Sequence, residues 1–380
     1  MQETRIFSQR IVASDGLVCG EVVLVGGEIL AVEARATASA DALDWGADML
    51  TPGMVDVHTD NFEKHYQPRP GALWDAYGAA LAHDGQCVAS GLTTVFDSLA
   101  LHGRKDGLDR KDALGPMIAA MDEARADGVL RADHLLHLRC EITDPALLDN
   151  LEPFVDHPRL KLISVMDHTP GQRQTANTER LKQRMLANGR TDAEVSETLG
   201  WQMLNRDPSI AGPNRRTVVG FAREYGLPLA AHDDATLEHV EEAKADGCVM
   251  AEFPVTLEAA QASRDAGMWI VMGGPNFVRG GSHSGNLSAR QAAEAGLLDI
   301  IASDYVPLSM LRSAFLLMDD CGWAPEKAMA VVARNPARSV GLNDRGEIAP
   351  GQRADLLRVH RTPSGWPAPI EVWREGRRVA

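Results

Sequence analysis

Apolar runs that finish in ionisable residues recur along the middle of the chain. They stand at MVDVHTD (54–60), TTVFDSL (93–99), HLLHLRCEI (134–142) and LKLISVMDH (161–168), then at LPLAAHDD (227–234), CVMAEFPV (248–255), WIVMGGPNF (269–277) and IIASDY (300–305). Each has the length and texture of a buried strand. Between them lie Ala-, Glu- and Arg-rich segments of helical pattern, such as GPMIAAMDEARADG, LEHVEEAKADG and LEAAQASRDAG, each closing on a glycine suited to a helix C-cap. Eight strands alternating with helices predict an α/β fold, a (β/α)8 barrel with its chemistry at the carboxyl ends of the strands. The competing arrangement, an open doubly wound sheet, needs a Gly-rich turn after the first strand, and HTDN offers none.

Both ends of the chain have a different texture. RIFSQRIVAS and GEVVLVGGEILAVEA near the start, and GEIAPGQRADLLRVH and PIEVWREGRRVA near the end, are short β-like pieces broken by glycine and proline. Residues 1–50 and 343–380 are therefore expected to build one small β-sandwich domain, flanking a barrel over 51–342. One interval, at about 171–215, is polar, mostly helical in pattern and too long for a simple connection. As an insertion after the fourth strand it suits a lid, a substrate clamp, a contact between copies in a homo-oligomer, or a merely solvated excursion.

Composition narrows the setting. The net charge of −15 argues against a general nucleic-acid surface, although local arginines or a metal can still reverse the sign inside a cleft. No apolar run approaches the roughly 20 residues of a membrane span, and MQETRIFSQRIVASDG lacks the apolar centre of a signal peptide. Cys19, Cys87, Cys140, Cys248 and Cys321 are scattered and odd in number, unlike a disulfide framework or a cysteine zinc knot. The expectation is a cytoplasmic protein without a membrane partner.

At the strand ends stand His58 and Asp60, Asp97, Glu141, Asp167 and His168, His232 with Asp233 and Asp234, Glu252, and Asp304. A lone strand-end histidine is more often a hydrogen-bonded core residue than a ligand. Histidines at the ends of strands one, four and five, with carboxylates on three and eight, form a pattern that single structural histidines do not. Such nitrogen and carboxylate groups suit zinc, manganese or iron. His102, His134, His137, His157, His239 and His360 lack this placement and read as structural, while His83 and Asp84 fit either use. Candidate anion contacts are Lys64, Arg69, Arg173 and the run RGGSHSGN, with Arg279, Ser282, His283 and Ser284. Glycines there let backbone N–H groups approach phosphate oxygens, and NLSARQAAEAG reads as a helix whose N-terminus favours an anion.

MLTPGMVDVHTD, the aspartate closing IIASDY, and NPARSVGLNDRGEIAPGQRADLL resemble the amidohydrolase superfamily, over nearly the whole chain. HTDNFEKHYQPRPG, AHDGQCVASGLTTVFDSL and MGGPNFVRGGSHSGNLSA are similar to its phosphonate-degradation branch. The resemblance implies a metal-bearing barrel with two divalent ions, zinc foremost and manganese or iron as alternatives. It implies His58 and Asp60 on one ion with Asp304 nearby, and Glu141 bridging to a second ion held by His168 and His232. Asp304 would also serve as the catalytic group that orients water and takes its proton. Many superfamily members have histidine where Asp60 stands and a carbamylated lysine in place of Glu141; the aspartate is shared by the phosphonate branch. The implied substrate is a small phosphorylated ribose, a ribosyl 5-triphosphate cut to the 5-phosphate and pyrophosphate. Hydrolysis of a cyclic amide, deamination, and a non-catalytic scaffold are the alternatives. Asn61, Glu63 and His65 stay unassigned between support and substrate contact.

Overall fold

Each of the eight apolar runs is a strand of one parallel sheet in the computed structural model, which describes residues 3–105, 108–175, 178–187, 189–281 and 286–380. The strands are β1 (Met54–Thr59), β2 (Leu92–Ala100), β3 (Asp133–Glu141), β4 (Leu160–Met166), β5 (Leu229–His232), β6 (Met250–Glu252), β7 (Trp269–Gly273) and β8 (Ile300–Ala302). They pair in chain order. A parallel bridge between Thr59 and Asp304 then joins β1 to β8. Two backbone bonds of 2.9 Å, Asp60 N to Asp304 O and Asp304 N to His58 O, make that seam. The sheet is a barrel, and the open doubly wound alternative is ruled out.

Period-two alternation explains what fills the barrel and what reaches its mouth. At the bottom, Val57, Phe96, Leu135, Leu162, Ala230, Met250, Val271, Ile300 and Ala302 form one apolar cluster. One step up β3 from Leu135, His137 bonds Ser98 Oγ and Ser164 Oγ, each at 2.9 Å, and makes a polar middle layer. Two further steps bring Arg139 and Glu141 to the top. Residues of opposite parity, such as Leu136, Leu138 and Cys140, pack outward against the helices, so both faces of each strand are buried.

The chain ends build a second sheet of eight strands. Glu3–Ala13 lies at its centre beside Gly16–Val25 on one flank and Met49–Pro52 on the other, and Leu356–Arg361 continues outward to Pro367–Arg374. The chain passes from this sheet into the barrel through a single residue, Gly53. A Cβ there would lie 2.5 Å from the Thr93 side chain, so only glycine permits the crossing. The NDRGEIAPGQRADLL segment ties the far end to the barrel floor: Arg345 reaches Asp133 at 2.8 Å and Thr94 Oγ1 at 3.1 Å.

After β4 the interval near 171–215 holds helices Thr178–Ala187 and Asp192–Leu204, and the next helix, Ala211–Glu224, begins inside it. The second helix starts on a capping box in which Thr191 and Glu194 satisfy each other's backbone. This pair roofs part of the barrel mouth. No helix among the described residues is long and apolar enough to cross a membrane.

Candidate active site

Histidines at the mouth are held by carboxylates from neighbouring strands. Glu252, fully buried on β6, accepts from two rings: His58 Nδ1 at 2.9 Å and His232 Nδ1 at 3.1 Å. A carboxylate partner obliges each Nδ1 to carry the proton, which leaves both Nε2 lone pairs turned away from Glu252. The two rings stack with centroids 5.6 Å apart, and Phe253 meets both edge-on. Burial holds His232 down at about 3 and His58 well below its ordinary value, so both are neutral and able to bind a cation.

His168 has a different environment. Glu141 accepts from its backbone N–H at 3.0 Å and lies 3.1 Å from Nδ1, while Asp233 lies 3.3 Å from Nε2. Burial alone would lower His168, but these two carboxylates outweigh it and raise the ring to about 9. Asp233 also lies 3.5 Å from His232 Nε2. It occupies the left-handed region at φ 59°, as does Asp304 at φ 56°, so strained backbone gathers at the mouth.

These groups fit a divalent cation. Both carboxylate oxygens of Asp233 and one of Asp60 are buried without a hydrogen bond. Ligand atoms of His168, His232 and Asp233 lie within 4.8 Å of one another, as do those of His58, His232 and Glu252. Burial, and then the neighbouring Asp60, push the Asp304 carboxyl well up, and the positive charges of Arg139 and Lys64 offset this only in part. His58, Asp60, His168, His232 and Asp304 would be the ligands at this mouth, with Glu141 and Asp233 bracketing His168. Glu252, one of the strand-end acids to which the sequence assigns no role, orients two rings at once. Glu252→Gln is expected to weaken metal binding about 10- to 100-fold, measured by chelator competition with the folded protein.

Two adjoining cavities open above the strands. One, of about 270 Å³, is lined by His58, His232, Asp233, Phe253, Arg279, Asp304 and Tyr305. The other, of about 1040 Å³, extends beneath the helix pair and is lined by Asp60, His102, Arg110, Glu141, Trp201 and Arg206. Arg139 and His168 border both.

The anion contacts fare unevenly. Lys64 is exposed at the rim, donating to the Tyr305 carbonyl and lying 5.0 Å from that ring. Arg279 is exposed and lines the smaller cavity. Arg173 is instead buried and paired with Asp234, where it braces the turn after β5. Arg69 is exposed and lines neither cavity. Ser282, His283 and Ser284 lie outside the described residues. The helix after that loop, Ala289–Glu294, spends its first N–H groups on its own caps. Ser288 Oγ takes the Gln291 N–H at 3.1 Å and Asn276 Oδ1 takes that of Ala289 at 3.0 Å. Two of its first three N–H groups are therefore already satisfied within the protein.

Asp97 also departs from expectation. Its neighbours Phe96 and Ser98 point inward, so Asp97 points out to the helix layer, 2.8 Å from His83 Nε2 and 3.1 Å from His134 Nδ1. Asp84 completes the network at 3.4 Å from His134 Nε2. Burial opposes charge on His134, but Asp97 and Asp84 raise it to about 9. A raised histidine stabilises the fold fully below its unfolded value near 6.5 and loses that contribution as pH climbs through about 9. Thermal melts of the wild type are therefore expected to fall from pH 7 to 10. His134→Gln should flatten that limb; an unchanged slope would remove the network from the account.

The molecule is thus an α/β barrel enzyme with a metal-ready mouth, and the chain belongs to the amidohydrolase family, whose model matches residues 49–379. Among relatives, it is 42% identical over 375 residues to the alpha-D-ribose 1-methylphosphonate 5-triphosphate diphosphatase of Escherichia coli (strain K12), covering 97% of this chain and 98% of that protein. It is 23% identical over 395 residues to an imidazolonepropionase of Streptomyces avermitilis, covering 96% of this chain and 88% of that one. By fold it is similar to N-acetyl-D-glucosamine-6-phosphate deacetylase from Mycobacterium smegmatis, with a TM-score of 0.66, 16% identity, and coverage of 99% and 100%. It is likewise similar to 5-methylcytosine deaminase from Klebsiella pneumoniae, with a TM-score of 0.65, 14% identity, and coverage of 99% and 98%.

Proposed function

We propose that this hydrolase cuts alpha-D-ribose 1-methylphosphonate 5-triphosphate to the 5-phosphate and pyrophosphate. The observation that carries the reading is the 42% identity to the diphosphatase, sustained over 97% of the chain. The mouth supports it, because carboxylates, neutral histidines and arginines border the same two cavities. Two divalent ions, zinc foremost with manganese or iron as alternatives, would be held by His58 and Asp60 with Asp304, and by His168 and His232 with Glu141 or Asp233. When bound, such ions offset phosphate charge and lower the pKa of a water towards neutrality.

The chain's own groups do the rest. Asp304 orients the attacking water and takes its proton, and Glu252 keeps His58 and His232 in one tautomer. Lys64 and Arg279 stand at the rim, where an anionic substrate enters. Phosphoryl transfer asks mainly for such positioning and positive charge.

The likeness to imidazolonepropionase keeps a second reading, hydrolysis of a cyclic amide, open to test. A panel of the ribosyl triphosphate, ATP and an imidazolone, assayed with metal-loaded protein, separates the two. The ribosyl triphosphate should have the highest kcat/KM. Preference for the imidazolone would replace the phosphohydrolase reading.

A further inference from the structure

Arg139 is a buried cation with no visible partner. Its residue is 8% exposed, its Nε has no hydrogen bond, and no ion pair holds its guanidinium among the described residues. It stands two residues before Glu141 on the inward face of β3 and borders both cavities. Its charge is felt by His58, His232, Glu252 and Asp304 alike, which places it in the middle of the mouth. An unpaired buried guanidinium is costly unless something brought to the site satisfies it.

Arg206 comes to the same cavity from the helical insertion. Its side chain is 5% exposed and one nitrogen lies 3.2 Å from Glu141 Oε2. Its Nε and Nη1 are buried without hydrogen bonds. His102 adds a third donor or acceptor: Nδ1 bonds Asp144, Trp201 stacks on the ring at 5.7 Å, and Nε2 is left unpartnered. Arg110, also on this wall, is paired with Glu63, donating from Nη2 to Oε2 at 2.9 Å with Nε 2.8 Å from Oε1 in an ion pair. The unspent donors therefore converge from β3, the loop after β2 and the insertion on one space, which Asp60 and Glu141 also line.

We infer that the larger cavity is a phosphate-chain cradle in which Arg139 and Arg206 grip the anionic oxygens of the pyrophosphate portion of the substrate. The inference rests on the proposed triphosphate reading and adds the residues that select a phosphate chain over a neutral amide. Arginine suits the task because its planar fork bonds two phosphate oxygens at once, whereas lysine offers a point charge. Arg206 gives the insertion its purpose: it closes the cradle from above and contacts Glu141 at the ligand wall.

The test measures binding of inorganic pyrophosphate to metal-loaded protein by calorimetry, for the wild type, Arg139→Lys, Arg139→Met and Arg206→Met. Metal content and melting temperature are recorded for each. Both methionine variants are expected to keep their metal and lose about 10- to 100-fold in pyrophosphate affinity. Arg139→Lys should fold as the wild type and remain weakened, because charge without the fork does not suffice. Affinities within twofold of wild type in the Arg139 variants, or a wild type that does not bind pyrophosphate, overturn the cradle. Arg139-dependent pyrophosphate binding without turnover of the ribosyl triphosphate would retain the cradle and reject the substrate proposed above.

Discussion

Asp304→Asn is expected to lower turnover of the ribosyl triphosphate on the order of 10²- to 10⁴-fold, the range for losing a general base. The reasoning starts from backbone. Asp304 follows β8 at φ 56°, and the seam bonds to His58 O and from Asp60 N fix it between both ends of the barrel. Asp304 is half-buried, and desolvation, then the charge of the neighbouring Asp60, push its proton affinity up. Asparagine keeps the shape and can still bond a water, but it cannot take a proton. Because Asp304 also stands among the candidate metal ligands, metal content must be measured with the kinetics. Retained metal with lost turnover isolates the proton-accepting role; retained metal with turnover within threefold of wild type would remove Asp304 from it.

Metal removal should have an effect as large. Dialysis against a strong chelator is expected to bring turnover below about 1% of its starting value, with recovery on adding zinc, manganese or iron. It should also destabilise the fold. An ion present at a hundred times its dissociation constant contributes about 2.7 kcal/mol per site, roughly 3 °C in melting temperature for a chain of this size. Without cations, Asp60, Asp233 and Asp304 gather at the mouth, and Arg139 and Lys64 offset their repulsion only in part. His232→Ala should mimic the chelated state because His232 borders both candidate ligand groups. Full activity after exhaustive chelation would contradict the metal reading of the mouth.

How legible these features were depended on distance along the chain. The barrel could be read because each strand is a local apolar run, and the ligands because they sit where those runs stop. Arg139 was equally local: HLRCE places it two before Glu141, hence on the same face, but an arginine inside a strand reads more easily as an outward residue. The same parity would have turned Asp97 away from the mouth, since Phe96 heads the inward series on β2. Glu252 stood among the strand-end acids, but its role depends on two histidines from β1 and β5 meeting around it. Arg206 and Arg173 were beyond reach for a different reason. Both come from the insertion, and only the folded helix pair decides that one reaches Glu141 while the other is spent on Asp234. His102 reads as structural in the sequence because its unpartnered nitrogen is visible only once Asp144 and Trp201 have packed around it.

The central claim is that this mouth breaks a phosphoanhydride between the first two phosphates of a ribosyl triphosphate. Phosphorus NMR of the metal-loaded wild type with that substrate tests it directly. The account predicts stoichiometric growth of pyrophosphate and ribosyl 5-phosphate signals, with the phosphonate resonance still attached to the sugar. Release of single phosphate, or an unchanged spectrum from fully metal-loaded protein, would contradict it.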